Sequence, residues 1–477
     1  MLESNTQSLD SVYYRRFTDS QLNRVHEATL EILEDIGIRF QDDEALRVFR
    51  NSGAAVEGNL VRIPSSRVEW ALRAAPKQLT LYDQQGQPAI RLRGRRAYFG
   101  NGSDLPYIID HRTGERRRAV LQDVEEIVRL LDELEHIDFV MSGFLPSDVP
   151  VDKVEPLQMQ AMMQYTDKPI IYVTTDLRQA QAVIAMAEVI AGGAEPLRTR
   201  PFAACYINIT NPLRHNPESV RKLMWLSEKG LPFNYRPSLV TRGISTPITG
   251  AGFLAVNNAA GLAGLVLSQL IREGTPFLRD SCAGGTFDMQ HMVGQQSSPE
   301  IRGFNEDMLH HYGLPGFGIG GTAEAKVIDS QAAYEAALTL ITSVQAGAHL
   351  IHDVGYLDNA ATGSLVQLVV CHEMIGWIKA YMQPLPVTDE TLALDQIREV
   401  VAEDGNFLAS ANTARHFRDD YYPELAVRRD YTGWLEEGAL SIEEKASAYV
   451  QAVLDRPAKQ RLSDEQAGAI GTIVDQG

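Results

Sequence analysis

Short apolar runs alternate with longer mixed segments through the middle of the chain. Apolar runs bounded by turn residues are typical of buried parallel strands. The pattern predicts eight strands, which are Ala97–Gly100, Asp138–Ser142, Pro169–Thr174, Ala203–Ile209, Phe233–Pro237, Pro276–Asp280, Gly316–Gly320 and Leu350–Asp353. The segments between them are long enough for crossover helices, and we place these at 121–134, 155–166, 178–191, 217–229, 251–273, 299–312 and 328–346.

Eight strands that alternate with helices predict a (β/α)₈ TIM barrel of the α/β class. Gly230, Gly274, Gly313 and Gly347 lie just before predicted strands, where a glycine would end the preceding helix. An open, doubly wound sheet is the alternative. The even spacing of the strands, and the lack of a dinucleotide-binding fingerprint after the early ones, favour the closed barrel.

The segments on both sides of the barrel are predicted to be mainly helical. Thr18 and Gln21 have capping-box spacing at the start of a helix over 19–36, and Gly37 follows as its stop. The C-terminal extension shows no strand pattern, and we expect it to wrap the barrel or to meet another subunit of a homo-oligomer. The predicted domains are an α-rich N-terminal extension (1–96), a catalytic barrel (97–383) and a helical C-terminal extension (384–477).

Composition and charge narrow the class of protein. The apolar content of 44% and the charged content of 22% are ordinary for a globular protein. A net charge of −18 disfavours nucleic acid and anionic membranes as partners, and we expect neither. Cys205, Cys282 and Cys371 are odd in number and far apart, which indicates free thiols and a cytoplasmic location. The apolar stretch 251–273 contains two asparagines and is predicted to be a buried helix, not a membrane span.

The chemistry of a barrel gathers where its strands give way to the loops that follow them. At these positions the chain carries aromatic rings, arginines, polar groups and a carboxylate. Aromatic faces attract organic cations, and an arginine can grip a carboxylate, so the set predicts a site for a small zwitterion with a quaternary ammonium group. A tyrosine in a barrel strand can equally fill a packing layer. The candidate substrate-binding residues are Tyr98, Tyr206 and Phe317 as cage walls, with Tyr172 and Tyr356 in reserve; Arg236 or Arg279 for a carboxylate; Asn208 and His352 as polar anchors; and Glu324 to balance the ammonium charge.

Two other motifs resemble ligand sites. Cys371, His372 and Glu373 look like a metal cluster, but adjacent residues on a helix point about 100° apart and cannot all face one ion. The run GFGIGGTAE (316–324) has the glycines of a phosphate loop without its Gly-Lys-Ser/Thr ending. We therefore predict neither a metal nor a nucleotide on this chain, and expect the glycines to allow a close approach of the backbone to a bulky group.

Five separated blocks resemble the trimethylamine methyltransferase family, in matching order and over almost the whole chain. The resemblance implies a (β/α)₈ enzyme that moves a methyl group from an amine to the cobalt of a separate corrinoid protein. Founding members carry pyrrolysine, whereas this chain is written in the standard twenty residues and so resembles the branch that includes glycine betaine:corrinoid methyltransferases. The blocks are VHEATLEILEDIGIRF (25–40), VRIPSSRVEWALRAAP (61–76), TPITGAGFLAVNNAAGLAGLVLSQLIREGTP (246–276), AEAKVIDSQAAYEAALTLITSVQAGAHLIHDVGYLD (323–358) and YYPELAVRRDYTGWLEEG (421–438).

The resemblance and the strand-end residues together imply a quaternary amine as methyl donor. A quaternary nitrogen leaves as a neutral amine and needs no proton donor, so the protein mainly has to position a cation and exclude water. The corrinoid would be carried by a partner protein, with no cofactor bound by this chain. Two alternatives remain open at this point. One is a barrel lyase or aldolase, which would need a strand-end lysine or a carboxylate cluster for magnesium, and the other is a non-catalytic betaine-binding member of the same family.

Overall fold

The N-terminal part of the chain forms helices and short strands beside the barrel. The structure is a computed structural model that describes residues 14–237, 241–280, 285–295 and 301–476; Cys282 lies outside these residues. The predicted first helix is confirmed, since the Thr18 hydroxyl accepts from the backbone of Gln21 and the Gln21 side chain accepts from the backbone of Thr18. The elements are α1 (Asp19–Glu31), a π-helical turn (Ile32–Ile36), β1 (Ile38–Phe40), α2 (Asp43–Asn51), β2 (Ala55–Glu57), β3 (Leu60–Arg62), α3 (Ser65–Ala74), β4 (Leu79–Tyr82) and β5 (Pro88–Leu92).

The middle of the chain alternates between strands and helices as predicted. Its elements, in chain order, are β6 (Tyr98–Phe99), β7 (Tyr107–Ile109), β8 (Arg116–Arg118), α4 (Leu121–Glu133), α5 (Val154–Tyr165), β9 (Ile170–Val173), α6 (Leu177–Ala191), α7 (Ala194–Thr199), β10 (Ala203–Ile209), β11 (Arg214–His215), α8 (Pro217–Lys229), β12 (Phe233–Pro237), α9 (Gly250–Ile271), β13 (Phe277–Asp280), β14 (Thr286–Asp288), β15 (Val293–Gln295), α10 (Phe304–Tyr312), β16 (Gly316–Ile319), α11 (Ser330–Ala346), β17 (Leu350–His352), β18 (Tyr356–Leu357), β19 (Thr362–Gly363) and α12 (Leu365–Tyr381).

Seven of these strands form one parallel sheet in the order β6-β17-β16-β13-β12-β10-β9, and an irregular segment closes it into a barrel. The segment is the second predicted strand, which makes only single parallel bridges, Gly100 with Phe139 and Val140 with Ile170. Side chains complete its ladder to β6. Asp138 accepts from the Phe99 backbone at 2.9 Å, and the Asn101 amide exchanges two hydrogen bonds with the Met141 backbone. The (β/α)₈ fold is therefore confirmed, with an irregular second strand.

Side chains alternate between the barrel interior and the layer beneath the helices, as the period of two in a strand requires. The interior cluster includes Phe139, Ile171, Leu278 and Leu350, and the β4–β5 hairpin adds Leu81 and other apolar residues to it. The hairpin closes the amino-terminal end of the barrel, since Tyr98 at the start of β6 meets it there. A functional site is therefore expected at the opposite end, where the strands finish.

The C-terminal extension contains only helices in the described residues. It comprises α13 (Asp389–Leu392), α14 (Leu394–Ala402), α15 (Ala411–His416), α16 (Tyr431–Glu436), α17 (Ile442–Leu454) and α18 (Asp464–Gln476). Helix α17 packs on α12 and α4, and α18 packs on α6 and α5. Helices α13 to α16 contribute no buried residue.

Helix α9 is long and apolar enough to cross a membrane by length and composition, but 89% of its most apolar stretch is buried inside the molecule. It packs on α1, α3, α8 and β12. It is therefore a core helix of the barrel layer, as predicted.

Candidate active site

Three rings meet inside the barrel, on strands that run towards its carboxy-terminal end. They belong to Tyr206 on β10, Phe317 on β16 and His352 on β17, and each residue is at most 5% exposed. The ring centroids of Tyr206 and Phe317 are 5.4 Å apart, and those of Phe317 and His352 are 5.5 Å apart. Edge-to-face contacts at such distances are favourable, so the rings form one continuous aromatic surface.

Hydrogen bonds hold His352 in one orientation. Its Nδ1 lies 2.7 Å from the carbonyl of Gly318, which can only accept, so Nδ1 carries the proton. Nε2 is then the acceptor for the Tyr206 hydroxyl at 2.8 Å. Burial lowers the pKa of His352 from its ordinary value, which favours the same neutral imidazole.

One arginine lies against this aromatic surface. The Arg236 guanidinium, on β12, is 5.2 Å from the centre of the Tyr206 ring. Its Nε is 3.8 Å from a carboxylate oxygen of Asp280, at the end of β13, so Asp280 pairs with this arginine. Since the Tyr206 face already accommodates one cation, it has the electrostatic character that a cation-binding ring needs.

Strained residues surround the mouth of the barrel. Asp353 follows His352 with a φ of 71°, and its carboxylate lies 3.6 Å from His352 Nε2. The Tyr356 hydroxyl donates to the Ser103 carbonyl at 2.6 Å. A Cβ at Gly102 would overlap both Tyr356 and Asp353, so only glycine fits this close approach. Backbone strain of this kind clusters at functional sites.

The loop between β6 and β7 carries a further carboxyl group, that of Asp104, which has a φ of 63°. Burial raises the pKa of Asp104 to about 6, although hydrogen bonds from Ser103 and Gln158 act in the opposite direction. Glu155 raises this pKa further and Lys222 lowers it. The carboxyl therefore titrates close to neutral pH.

The structure does not bring three of the predicted residues to this site. Tyr98 faces the interior at the closed end, where its hydroxyl accepts from the Arg91 backbone at 3.1 Å. Tyr172 faces outward beneath the helices, with its hydroxyl beside the Cys205 thiol. Arg279 also faces outward, because it alternates with the inward Leu278.

The outward position of Arg279 gives it a structural role. Its guanidinium donates to Asn258 Oδ1 at 2.9 Å, to the Asn305 carbonyl at 2.9 Å and to the Asp280 carbonyl at 3.0 Å. It is 3% exposed. Arg279 thus joins β13 to α9 and α10, whereas Arg236 lies inside the barrel.

Two further predicted residues lie nearby. Asn208 pairs in register with Arg236, and its Oδ1 is buried with no hydrogen-bond partner in the described part of the chain. Glu324 is half-buried in the loop after β16, where its backbone N–H donates to Glu335 at 2.7 Å. The predicted residues that the structure brings together are Tyr206, Asn208, Arg236, Phe317 and His352, with Tyr356 at the rim.

One buried interior residue was not predicted. Asn234 precedes Arg236 by two positions on β12 and is 0% exposed. The sequence prediction considered the ends of strands and so passed over a residue in the middle of one. A polar residue inside an otherwise apolar strand, FNYRP, was the signal available.

The glycine run 316–324 and the cluster of Cys371, His372 and Glu373 have packing roles. A Cβ at Gly316 would overlap Arg279 and Leu309, and one at Gly318 would overlap Ala348, so these glycines allow close packing within the protein. The Cys371 thiol contacts Gln367, while the Glu373 carboxylate accepts from the backbone of Leu425 and Ala426. Among the described residues, no group of three or more His, Cys, Asp or Glu side chains is arranged to hold a metal ion.

The buried lysines lie outside the barrel interior. Lys222 on α8 donates to the Thr174 carbonyl, and Lys168 donates to the carbonyls of Leu131 and Leu134. Lys379 on α12 lies 3.5 Å from Asp138. No lysine occupies the inward positions of the described strands, so these positions offer no Schiff-base nucleophile of the aldolase type.

Comparison with known proteins gives one family over the full length. A family model described as trimethylamine methyltransferase (MTTB) matches residues 6–476. Trimethylamine methyltransferase of Desulfitobacterium hafniense is 31% identical, covering 100% of this chain and 96% of the relative. Glycine betaine methyltransferase of another strain of that species is also 31% identical, covering 92% of each. Trimethylamine methyltransferase of Methanosarcina thermophila is 29% identical, covering 94% of each.

Solved structures support the fold. The monomethylamine methyltransferase of Methanosarcina barkeri aligns with a TM-score of 0.53 at 12% identity, covering 94% of this chain and 90% of that one. Its hydroxylamine complex aligns with a TM-score of 0.55 at 11% identity. The family match and the full-length relatives carry the assignment: the chain belongs to the trimethylamine methyltransferase family and is an enzyme of the methyltransferase type.

Proposed function

We propose that the protein moves a methyl group from a quaternary amine, glycine betaine or a related betaine, to the Co(I) of a separate corrinoid protein. The observation that carries the proposal is the contact between the Tyr206, Phe317 and His352 rings beside Arg236. Aromatic faces favour a quaternary ammonium group, and a guanidinium favours the carboxylate of a betaine. The relatives include a glycine betaine methyltransferase, which supports a donor of this class.

The proposed reaction needs little acid–base chemistry from the chain. The N–CH₃ bond breaks, and its electron pair remains on nitrogen as the lone pair of a neutral tertiary amine. Co(I) provides the pair for the new Co–CH₃ bond and becomes Co(III). The chain's own side chains bind the cation, hold it in line with the opening of the barrel and exclude water. A neutral His352 suits this role, because it adds no positive charge beside the ammonium group.

The cofactor in this proposal belongs to the partner protein, and the chain holds only the amine. The corrinoid has to approach the open end of the barrel, since the β4–β5 hairpin covers the other end. Cobalt in the Co(I) state requires strongly reducing conditions, so we place the protein in the cytoplasm. The buried free thiols of Cys205 and Cys371 are compatible with that compartment.

We also propose that copies of the chain associate through the segment 385–442, called here the arm. The arm exposes large apolar side chains, among them Leu385 at 86%, Val401 at 74% and Leu408 at 84%. Leu394, Ile397 and Val401 form one stripe on α14. Monomers rarely expose apolar patches beyond several hundred Å², so a second copy is the simplest cover for this surface.

The test of the methyl transfer mixes the protein with a reduced corrinoid protein and a panel of methylated amines. Glycine betaine or a related betaine is expected to convert the Co(I) spectrum to that of methyl-Co(III), and the Tyr206→Leu variant to do so slowly. If no member of the panel changes the spectrum, the proposal is wrong.

A further inference from the structure

Asn234 lies inside the barrel, one layer deeper than Arg236. Phe233 and Tyr235 face the helices, so Asn234 and Arg236 face the interior. The register pairs Asn234 with Tyr206 on one side and Leu278 on the other. Because β12 runs towards the mouth, Asn234 lies below Arg236 and level with the backbone of Tyr206, in a layer called here the floor of the site.

The Asn234 amide has no protein partner in the part of the chain that the structure describes. Neither Oδ1 nor Nδ2 makes a hydrogen bond to any of the described residues, and Asn234 is 0% exposed. A buried amide without partners is costly, and leucine of nearly the same size would avoid the cost.

Asn258 shows how this fold satisfies a buried asparagine. Its Nδ2 donates to Thr29 at 2.9 Å and to the Tyr312 hydroxyl at 2.8 Å, and its Oδ1 accepts from Arg279 at 2.9 Å. Asn258 is 1% exposed. Asn234 differs from it in partners and not in burial, which indicates that the Asn234 amide is kept for something other than stability.

We propose that Asn234 hydrogen-bonds the substrate at the floor of the site and determines its specificity for a carboxylated quaternary amine. The inference rests on the proposed function. The Nδ2 group donates to one carboxylate oxygen beside Arg236, and Oδ1 suits the positive end of the same zwitterion. With the carboxylate at the floor, the methylated nitrogen lies against Tyr206 and Phe317, and a methyl group points to the mouth, where the acceptor arrives.

The test compares the wild-type protein with Asn234→Leu, using glycine betaine and tetramethylammonium chloride as calorimetric probes. Loss of a hydrogen bond to a charged group is expected to weaken betaine binding by about 10- to 100-fold. Binding of tetramethylammonium, which has no carboxylate, is expected to change by less than about threefold, because its aromatic contacts remain. The ligand-free variant is expected to have the same Tm as wild type or a higher one, because an unpartnered amide has been removed.

Two further variants separate binding from folding. Asn258→Leu is the matched control and is expected to lower the Tm, since it removes an amide with three hydrogen bonds. Asn234→Asp places a negative charge at the floor and is expected to abolish betaine binding while tetramethylammonium still binds. It tests the same contact independently of the leucine variant.

The outcomes test the role of Asn234 separately from the proposed methyl transfer. Equal betaine affinity in wild type and Asn234→Leu would overturn the inference alone, as would a fall in Tm comparable to that of Asn258→Leu. A wild-type protein that binds neither probe would contradict the proposed function, and the inference with it.

Discussion

The two arginines at the ends of β12 and β13 illustrate how one strand position decides a residue's role. Arg236 faces the interior beside Tyr206, whereas Arg279 faces α9 and α10 and is held by three hydrogen bonds. Both looked equally suited to hold a carboxylate in the sequence. The structure separates them into a binding candidate and a structural residue.

Substitution of each arginine by glutamine tests this separation. Arg236→Gln is expected to raise the KM for a betaine by about 10- to 100-fold, because a charged hydrogen bond to the substrate is lost. A fall in Tm accompanies it, because the buried Asp280 carboxylate loses its arginine partner. Arg279→Gln is expected to lower the Tm by several degrees, because Asn258 and two carbonyls lose a buried donor. Arg279→Gln is expected to leave the KM of the folded enzyme within about threefold of wild type, because its guanidinium faces away from the barrel interior. Thermal unfolding and steady-state kinetics measure the two effects, and a KM that rises in Arg279→Gln but not in Arg236→Gln would refute the separation.

The ring and the hydroxyl of Tyr206 are expected to matter differently. Tyr206→Phe keeps the aromatic face and removes the hydrogen bond to His352, so tetramethylammonium affinity is expected to stay within about threefold of wild type. Tyr206→Leu removes the aromatic face and is expected to weaken tetramethylammonium binding by about 3- to 30-fold, the range of one cation–π contact. Calorimetric titration of both variants checks this, and equal losses in the two would show that the ring face does not bind the cation.

Asp104 predicts a pH dependence of stability. Its pKa is raised from 3.8 to about 6 in the folded protein, so the folded state keeps the proton that the unfolded state releases first. This contribution to stability is fully present below pH 3.8 and is lost as pH rises through about 6. Asp104→Asn avoids the loss, so its Tm advantage over wild type is expected to be small near pH 4 and larger at about pH 8. A difference in Tm that does not vary with pH would show that Asp104 is not held protonated.

At the scale of elements, the sequence predicted where the strands and helices lie better than it predicted which way their side chains face. Strands and helices followed from apolar runs and glycine stops, but the inward or outward direction of each strand residue did not. A strand buried on both faces is apolar at odd and even positions alike. The sequence IIYV on β9 therefore does not reveal that Tyr172 faces outward. For the same reason Arg279 was expected at the mouth. Tyr98 faces the interior but begins β6, so it lies at the closed end of the barrel, and Asn234 was overlooked because it lies in the middle of a strand. The irregularity of the second strand was also hidden, because side chains of Asp138 and Asn101 supply some of the hydrogen bonds that a regular ladder would make through the backbone.

Helix α9 offers an element-scale prediction from two of its glycines. A Cβ at Gly264 would overlap the Tyr235 ring of β12, whereas a Cβ at Gly261 would meet nothing within 4 Å. Gly264→Ala is therefore expected to lower the Tm by forcing the helix from the barrel. Gly261→Ala is the matched control and is expected to stabilise by about 0.5–1 kcal/mol, the helix penalty of glycine. Chemical denaturation compares the two, and equal destabilisation would argue against the close packing of α9 on β12.

At the scale of the whole molecule, the arm has exposed apolar side chains that the single chain does not cover. Its helices α13 to α16 bury no residue of their own, yet α14 carries an exposed apolar stripe. Light scattering on the wild-type protein is expected to give a mass of at least two copies of the 52.8 kDa chain. Ile397→Lys combined with Val401→Lys is expected to shift it towards the monomer, because two charges would face an apolar interface. A monomeric wild-type protein would contradict this proposal without affecting the barrel site.

The most direct test of the proposed methyl transfer follows the methyl group itself. Glycine betaine with a ¹³C label in its N-methyl groups is incubated with the protein and a reduced corrinoid protein for a single turnover. We expect one labelled methyl group on cobalt for each betaine demethylated, with dimethylglycine as the other product. Label on cobalt without dimethylglycine would contradict the account, as would cobalt that takes no labelled methyl group from glycine betaine or from any other betaine of the panel.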